Sequence, residues 1–183
     1  MESTLYLLIK HNRLESERII LRPVSIEDAE DMYEYASDEE TTRFVFDTHQ
    51  NLEATKNVIA EYFAKDPIGK YALVLKENNK MVGTIDLRVD MTHKKAELGY
   101  TLNKKFWGNG YITEAANLLL ELGFNIIGLE RIYAMYDSKN KASGRVMERL
   151  GMTREGVLRK NRLVKNEFSD DVCYSILKEE YMK

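Results

Sequence analysis

A mixed α/β (α+β) fold, with one central sheet flanked by helices on both faces, is predicted by three observations. Apolar residues alternate at period two in some segments and recur at helical spacing in others. These segments follow one another as strand, two helices, three strands, helix, strand, helix and two strands, an order that suits a mixed sheet. The chain has 183 residues, 44% hydrophobic and 31% charged, which predicts one soluble globular domain with a sizeable core.

Each element has its own signal. The apolar run Leu5–Ile9 is too short to span a bilayer and lacks signal-peptide flanks, so it reads as a short strand or packing segment. It lies in a short extension over residues 1–16. Arg18–Arg22 reads as a strand stopped by Pro23. Ser25 is placed to cap a helix with Asp28 three residues on, and Ile26, Ala29, Met32 and Tyr33 share one face. Leu52, Thr55, Val58, Ile59, Tyr62 and Phe63 mark a second helix capped by Asn51 and broken at Pro67 and Gly69.

Strands follow at Tyr71–Leu75 and Met81–Val89, joined by a turn at Asn78-Asn79. After a polar turn at His93 and Lys94, residues 95–102 alternate. Ala96, Leu98, Tyr100 and Leu102 point one way, and Glu97, Gly99 and Thr101 the other. A long helix places Ile112, Ala115, Ala116, Leu119, Leu122 and Ile126 inward and closes at Gly128. Arg131–Tyr136 is a strand, Lys141–Leu150 a short helix stopped by Gly151, and Thr153–Arg162 and Asp171–Leu177 the last strands.

The net charge of −3 carries no basic field that argues for nucleic acid. The one cysteine, Cys173, cannot form an internal disulfide and reads as a core thiol, compatible with a reducing cytoplasm. His11, His49 and His93 lack metal-ligand spacing, so no metal is expected. Eight acidic residues and no basic one lie between Glu27 and Glu40. They read either as a solvated helix face or as a surface that attracts cationic amines.

Lys105-Phe106-Trp107-Gly108-Asn109-Gly110-Tyr111 precedes the long helix. Two glycines flanking one residue at a helix N-terminus can gather backbone N–H groups around an anion such as a pyrophosphate. Alone, the pattern also fits a plain strand-to-helix turn.

Three segments together resemble the GNAT superfamily of acyl-CoA-dependent N-acyltransferases. They are Ala96–Tyr100 with Phe106–Ala115; Asn140–Ser143 with Leu150–Met152, Glu155 and Gly156; and Asp170–Leu177. The resemblance covers roughly residues 17 to 180 and is strongest to the RimJ/RimL-like branch, which acetylates ribosomal-protein N-termini. It departs in two places: Lys105 stands where the family's phosphate motif usually starts with Gln or Arg, and Met147 stands where many relatives place a general-acid tyrosine.

The resemblance implies a mostly antiparallel sheet and acetyl-CoA as co-substrate. It implies cofactor contacts from Leu102, Asn103, Lys105, Phe106, Trp107, Gly108, Asn109, Gly110, Tyr111, Thr113 and Asn140. A backbone N–H of Leu102 or Asn103 would meet the acetyl oxygen. Lys104, Lys105, Lys139, Lys141 and Arg145 are candidate cations for the phosphates, or ordinary surface charge. Glu97 is the candidate general base, acting directly or through water, or else a surface glutamate. Ser143 is the candidate proton donor to the CoA thiolate, and Asn140 a cofactor contact, an N-cap or both. The acceptor is an amine: a protein N-terminus, or a small amine such as a polyamine or aminoglycoside. A non-catalytic acyl-CoA-binding module is the alternative outside enzymes. Phe44 and Phe46 either pack or border the acceptor pocket. A homodimer is one assembly the resemblance allows, and neither membrane nor nucleic acid is an expected partner.

Overall fold

The structure, a computed structural model, describes residues 2–183. Its elements are α1 (Thr4–Lys10), β1 (Leu14–Glu15), β2 (Ile19–Arg22), α2 (Ala29–Ala36), α3 (Glu39–Thr42), α4 (Leu52–Val58), β3 (Lys70–Leu75), β4 (Met81–Asp90), β5 (Lys95–Leu102), α5 (Tyr111–Glu121), β6 (Arg131–Asp137), α6 (Lys141–Arg149), β7 (Thr153–Val164), β8 (Glu167–Leu177) and α7 (Lys178–Tyr181). The eight strands form one sheet in the order β1-β2-β3-β4-β5-β6-β8-β7. Every pairing is antiparallel except β5 with β6.

Two cores lie on opposite faces of this sheet. In β3, Tyr71, Leu73 and Leu75 join α5 and α6 in the larger core, while Ala72 and Val74 join α2 and Ile59 in the smaller. A strand covered on both faces is apolar on both: Tyr71–Leu75 are buried without a break, and Lys70 ahead of them is buried with its ammonium on Tyr62 O and Asp66.

Several expectations need correction. Residues 5–9 form the helix α1, because Ser3 Oγ accepts from Tyr6 N at 3.2 Å and caps it. Leu5, Tyr6 and Ile9 remain about half exposed, and Leu8 is the residue that reaches the core. Ile26 is exposed, since the Ser25–Asp28 capping box holds a short 3₁₀ turn (Ile26–Asp28) ahead of α2. The helix then buries Ala29, Met32, Tyr35 and Ala36. Asn51 caps α4 as expected, accepting from Ala54 N at 2.9 Å. Both long helices widen into π turns, at Ile59–Ala64 and Leu122–Ile127, and Gly128 ends the second at φ +82°.

Candidate active site

The site is organised around a gap in the sheet. β5 and β6 pair in parallel over Lys95–Glu97 and Arg131–Tyr133, and the pairing stops at Glu97 although both strands continue. Beyond that point the β6-facing edge of β5 is open. Asn103 N donates to Val82 O at 2.8 Å, so its N–H is spent inside the sheet. This corrects one of the two expected oxyanion donors. Antiparallel alternation turns the neighbouring N–H, that of Leu102, away from β4 and toward the gap. Leu102 O faces the same way and accepts from Trp107 Nε1 at 2.7 Å.

The loop after β5 is a short 3₁₀ turn, Lys104–Phe106, followed by Gly108 at φ +81° and Gly110 at φ +79°. Both glycines occupy the left-handed region where a Cβ is penalised, and Gly110 leads directly into α5. No side chain caps that helix, so its first N–H groups stay available to an anion. Gly108, Asn109, Gly110, Thr113, Glu114, Asn117 and Arg149 line a cavity of about 510 Å³.

Arg18, on the approach to β2, braces this loop. Its guanidinium donates to Asn109 O at 3.0 Å and to Glu114 Oε2 at 2.7 Å, and lies over the Tyr111 ring. The side chain of Asn109 closes the turn by donating to Phe106 O at 3.0 Å. Phe106 packs against the larger core.

Three of the expected phosphate cations are engaged elsewhere. Lys105 pairs with Glu34 at 3.0 Å, Lys104 with Asp38 at 2.7 Å and with Glu40, and Lys139 with Glu167 at 3.9 Å. Arg149 lines the cavity instead. It follows Lys141 and Arg145 at intervals of four residues on α6, which places all three on one exposed helix face.

On the α2/α4 face of the sheet, Glu97 sits at the head of the gap. Its Oε1 is 2.9 Å from Arg88 Nη2, and its Oε2 accepts from the Tyr133 hydroxyl at 3.4 Å. Arg88 is shared with Asp86, whose pKa is raised by burial against the opposing pull of the guanidinium. Gly99 makes room for this cluster, because a Cβ there would clash with Asp86 Oδ1.

On the α5/α6 face, Asn140 caps α6, its Oδ1 accepting from Ser143 N at 3.4 Å. Ser143 Oγ lies 2.8 Å from the Tyr100 hydroxyl, which also donates to Ser143 O at 3.1 Å. Burial pushes the Tyr100 phenol up to about 12. Met147 is buried in the larger core.

The acidic segment is largely internally paired. Asp28 holds Arg22, Asp31 and Glu34 hold Lys80, and Asp38 and Glu40 hold Lys104. Its charge fastens α2 and α3 to β4 and to the glycine loop, which leaves a weaker field for a polycation than the sequence suggests. Phe46 packs on the smaller core beside His49. The β7–β8 turn reaches this region, since Lys165 Nζ bonds Thr42 Oγ1 at 3.2 Å and Thr48 Oγ1 at 3.1 Å. Cys173 is half-buried rather than a core thiol, with its sulfur 3.7 Å from Glu155 Oε2.

Sequence reasoning missed Arg18, Arg88, Asp86, Tyr133, Tyr100 and Arg149. Alternation along β4 and β6 could have put Asp86, Arg88 and Tyr133 on the face of Glu97 once strand order was known. Arg18 reaches Glu114 across 96 residues of chain, and nothing local marks it. Among the described residues there is no cluster of metal ligands, and no helix is long and apolar enough to cross a membrane.

Comparison with known proteins defines the class. Residues 18–153 match the acetyltransferase (GNAT) domain model, and the chain belongs to that family. Its co-substrate is therefore acetyl-CoA. The fold superposes on the crystal structure of a GNAT-family acetyltransferase from Bacillus anthracis with a TM-score of 0.82 at 31% identity, covering 91% of this chain and 99% of that one. The uncharacterized N-acetyltransferase p20 of Bacillus licheniformis is 30% identical over 92% of this chain and 97% of its own. YdaF of Bacillus subtilis, whose name assigns it provisionally to ribosomal N-acetylation, is 35% identical over 57% of each chain. The spermidine N(1)-acetyltransferase of Escherichia coli is 20% identical over 88% of this chain and 87% of its own.

Proposed function

We propose that this acetyltransferase moves the acetyl group of acetyl-CoA to the α-amine of a protein N-terminus. The observation that carries the choice of acceptor is the pairing of the acidic segment with Arg22, Lys80, Lys104 and Lys105. A site for a polyamine needs carboxylates free to meet several charges, and here five of the eight, Asp28, Asp31, Glu34, Asp38 and Glu40, are paired within the fold. The partial likeness to a protein named for ribosomal N-acetylation supports the same reading. An α-amine, with a pKa near ~8 against ~10.4 for a lysine-type amine, also costs less to deprotonate at neutral pH.

In this reading the two reactants approach from opposite faces of the sheet. The pyrophosphate rests on the Gly108–Gly110 loop and the N-terminus of α5, with Arg149 as a counter-charge and Thr113 on the cavity wall. Trp107 holds the loop to Leu102, Asn103 caps the turn that opens the loop, and Asn140 caps α6 beside Ser143. The thioester lies in the gap with its oxygen at Leu102 N–H. The acceptor nitrogen attacks the carbonyl carbon, the C–S bond breaks, and the electron pair leaves on sulfur. Glu97 takes the amine proton after exchanging its bond to Arg88, which Asp86 retains. Ser143 donates to the departing thiolate. A cytoplasmic location belongs to the same proposal.

The test is CoA release from acetyl-CoA, followed with a thiol-reactive dye. Peptides with varied free N-termini form one acceptor pool; polyamines and aminoglycosides form the other. Turnover confined to peptides is expected, and turnover confined to small amines overturns the acceptor. Glu97→Gln is expected to lower kcat by about 10²–10⁴-fold with acetyl-CoA affinity unchanged. An unchanged kcat removes Glu97 from the mechanism.

A further inference from the structure

The contact between Tyr100 and Ser143 has a proton arithmetic of its own. Tyr100 is on β5, three residues past the last β5–β6 pair, and Ser143 is in the first turn of α6. Their bond therefore joins β5, beyond the end of its pairing with β6, to α6 on one face of the gap that is to hold the thioester. The phenol has one proton and two acceptors within reach, Ser143 O at 3.1 Å and Ser143 Oγ at 2.8 Å. With the phenol proton on Ser143 O, the serine proton turns back onto the Tyr100 oxygen and is lost to chemistry. With the phenol proton on Ser143 Oγ, the serine proton is free to point at a sulfur.

We propose that Tyr100 is the positioning residue of the reaction: its hydroxyl swings from Ser143 O to Ser143 Oγ and aims the serine proton at the CoA sulfur. This deepens the proposed role of Ser143 and rests on it. The swing leaves no orphaned group, because Ser143 O lies within α6 and accepts the helical bond from the residue four positions on. The phenol also holds the serine off the backbone carbonyl of the preceding turn, the usual partner of a serine on a helix. Burial, which pushes the Tyr100 phenol up to about 12, keeps it a donor at every working pH. Net transfer of the phenol proton is not required. The thiolate receives a hydrogen bond from Ser143, and Ser143 receives one from Tyr100.

The test needs no acceptor. CoA is bound to the enzyme and its thiol titrated by the ultraviolet absorbance of the thiolate. A free thiol ionises near ~8.5. A lower value is expected in the wild type, and Ser143→Ala should raise it by about one pH unit, tenfold in the ionisation constant. Tyr100→Phe should raise it in the same direction with little change in CoA affinity, and the double variant should match Ser143→Ala alone. A thiol that Tyr100→Phe leaves unmoved while Ser143→Ala shifts it overturns the role of Tyr100 and spares that of Ser143. So does an effect of Tyr100→Phe that adds to the serine effect. A thiol that Ser143→Ala leaves unmoved overturns both. Circular dichroism checks the fold of each variant. Should Tyr100→Phe unfold, 3-fluorotyrosine at position 100 keeps the ring and makes the phenol a stronger donor. The thiol value should then fall, and an unchanged value overturns the proposal.

Discussion

At the scale of single residues, the site depends on which way a group points, and neighbours in sequence differ completely. Leu102 and Asn103 share the end of one strand, yet one N–H faces the gap and the other is spent on Val82. Asp171 shows the same dependence for stability. It is fully buried on β8, and burial alone would raise its pKa. Bonds from Arg162 Nε at 2.7 Å and Asn161 Nδ2 at 2.8 Å outweigh that and hold it below the usual carboxylate range. Asp171→Asn strands Arg162 beside an amide that cannot neutralise it. A loss of about 1–3 kcal/mol in urea-unfolding stability is expected, because Arg162 is partly exposed and water relieves it, with the slope against urea unchanged. The sequence placed Asp171 correctly in a strand, and nothing in its neighbours signalled that its partner lies nine residues back across the β7–β8 turn.

At the scale of elements, the glycine loop was legible because its requirements are local. Positive φ at Gly108 and Gly110 and an immediate helix start are encoded within a few residues. Its rigidity was not legible, since the brace comes from Arg18 on the approach to β2. Arg18→Ala should loosen the loop and raise the dissociation constant for acetyl-CoA by about 5–30-fold, roughly 1–2 kcal/mol. Arg13→Ala, an exposed residue paired with Glu15, should leave it unchanged. Isothermal titration calorimetry on both variants checks this; equal affinities would show that the loop stands without Arg18. The misread N-terminal run is the converse case. A stretch of five apolar residues is too short for period to separate strand from helix, and Ser3 decided it.

For the whole molecule, ion pairs that link distant segments set the response to acid. Glu34 is lowered to about 2, chiefly by Lys105, against burial and with help from Asn103 and Lys80. Glu155 is lowered to about 2 chiefly by Arg131 and then Ser175. In the unfolded chain these carboxyls titrate near ~4.3. Between the two values the unfolded state binds more protons, so stability rises with pH there. This contribution is fully present above pH ~4.3 and is lost as pH falls toward about 2. Tm measured against pH should be flat from about 7 to 5 and fall below about 4.3. Glu155→Gln should shallow that fall, and a Tm that rises on acidification would contradict the assignment. Both carboxylates are partly exposed, so added salt should reduce the effect.

By itself, the sequence determined the order of the longer elements from β2 to β8, the glycine loop, the Asn51 and Asn140 caps, and the placement of Glu97 opposite the apolar residues of its strand. These features follow from period, local dihedral preference and the reach of a side chain to its own backbone, and all act within one or two turns of chain. Only the tertiary structure decided where β5 leaves β6, which N–H faces the gap, how the acidic segment spends its charge, and that Tyr100 meets Ser143 from another element. Those contacts join residues tens of positions apart, and they exist only because the strand order and the burial of both sheet faces bring them to one place.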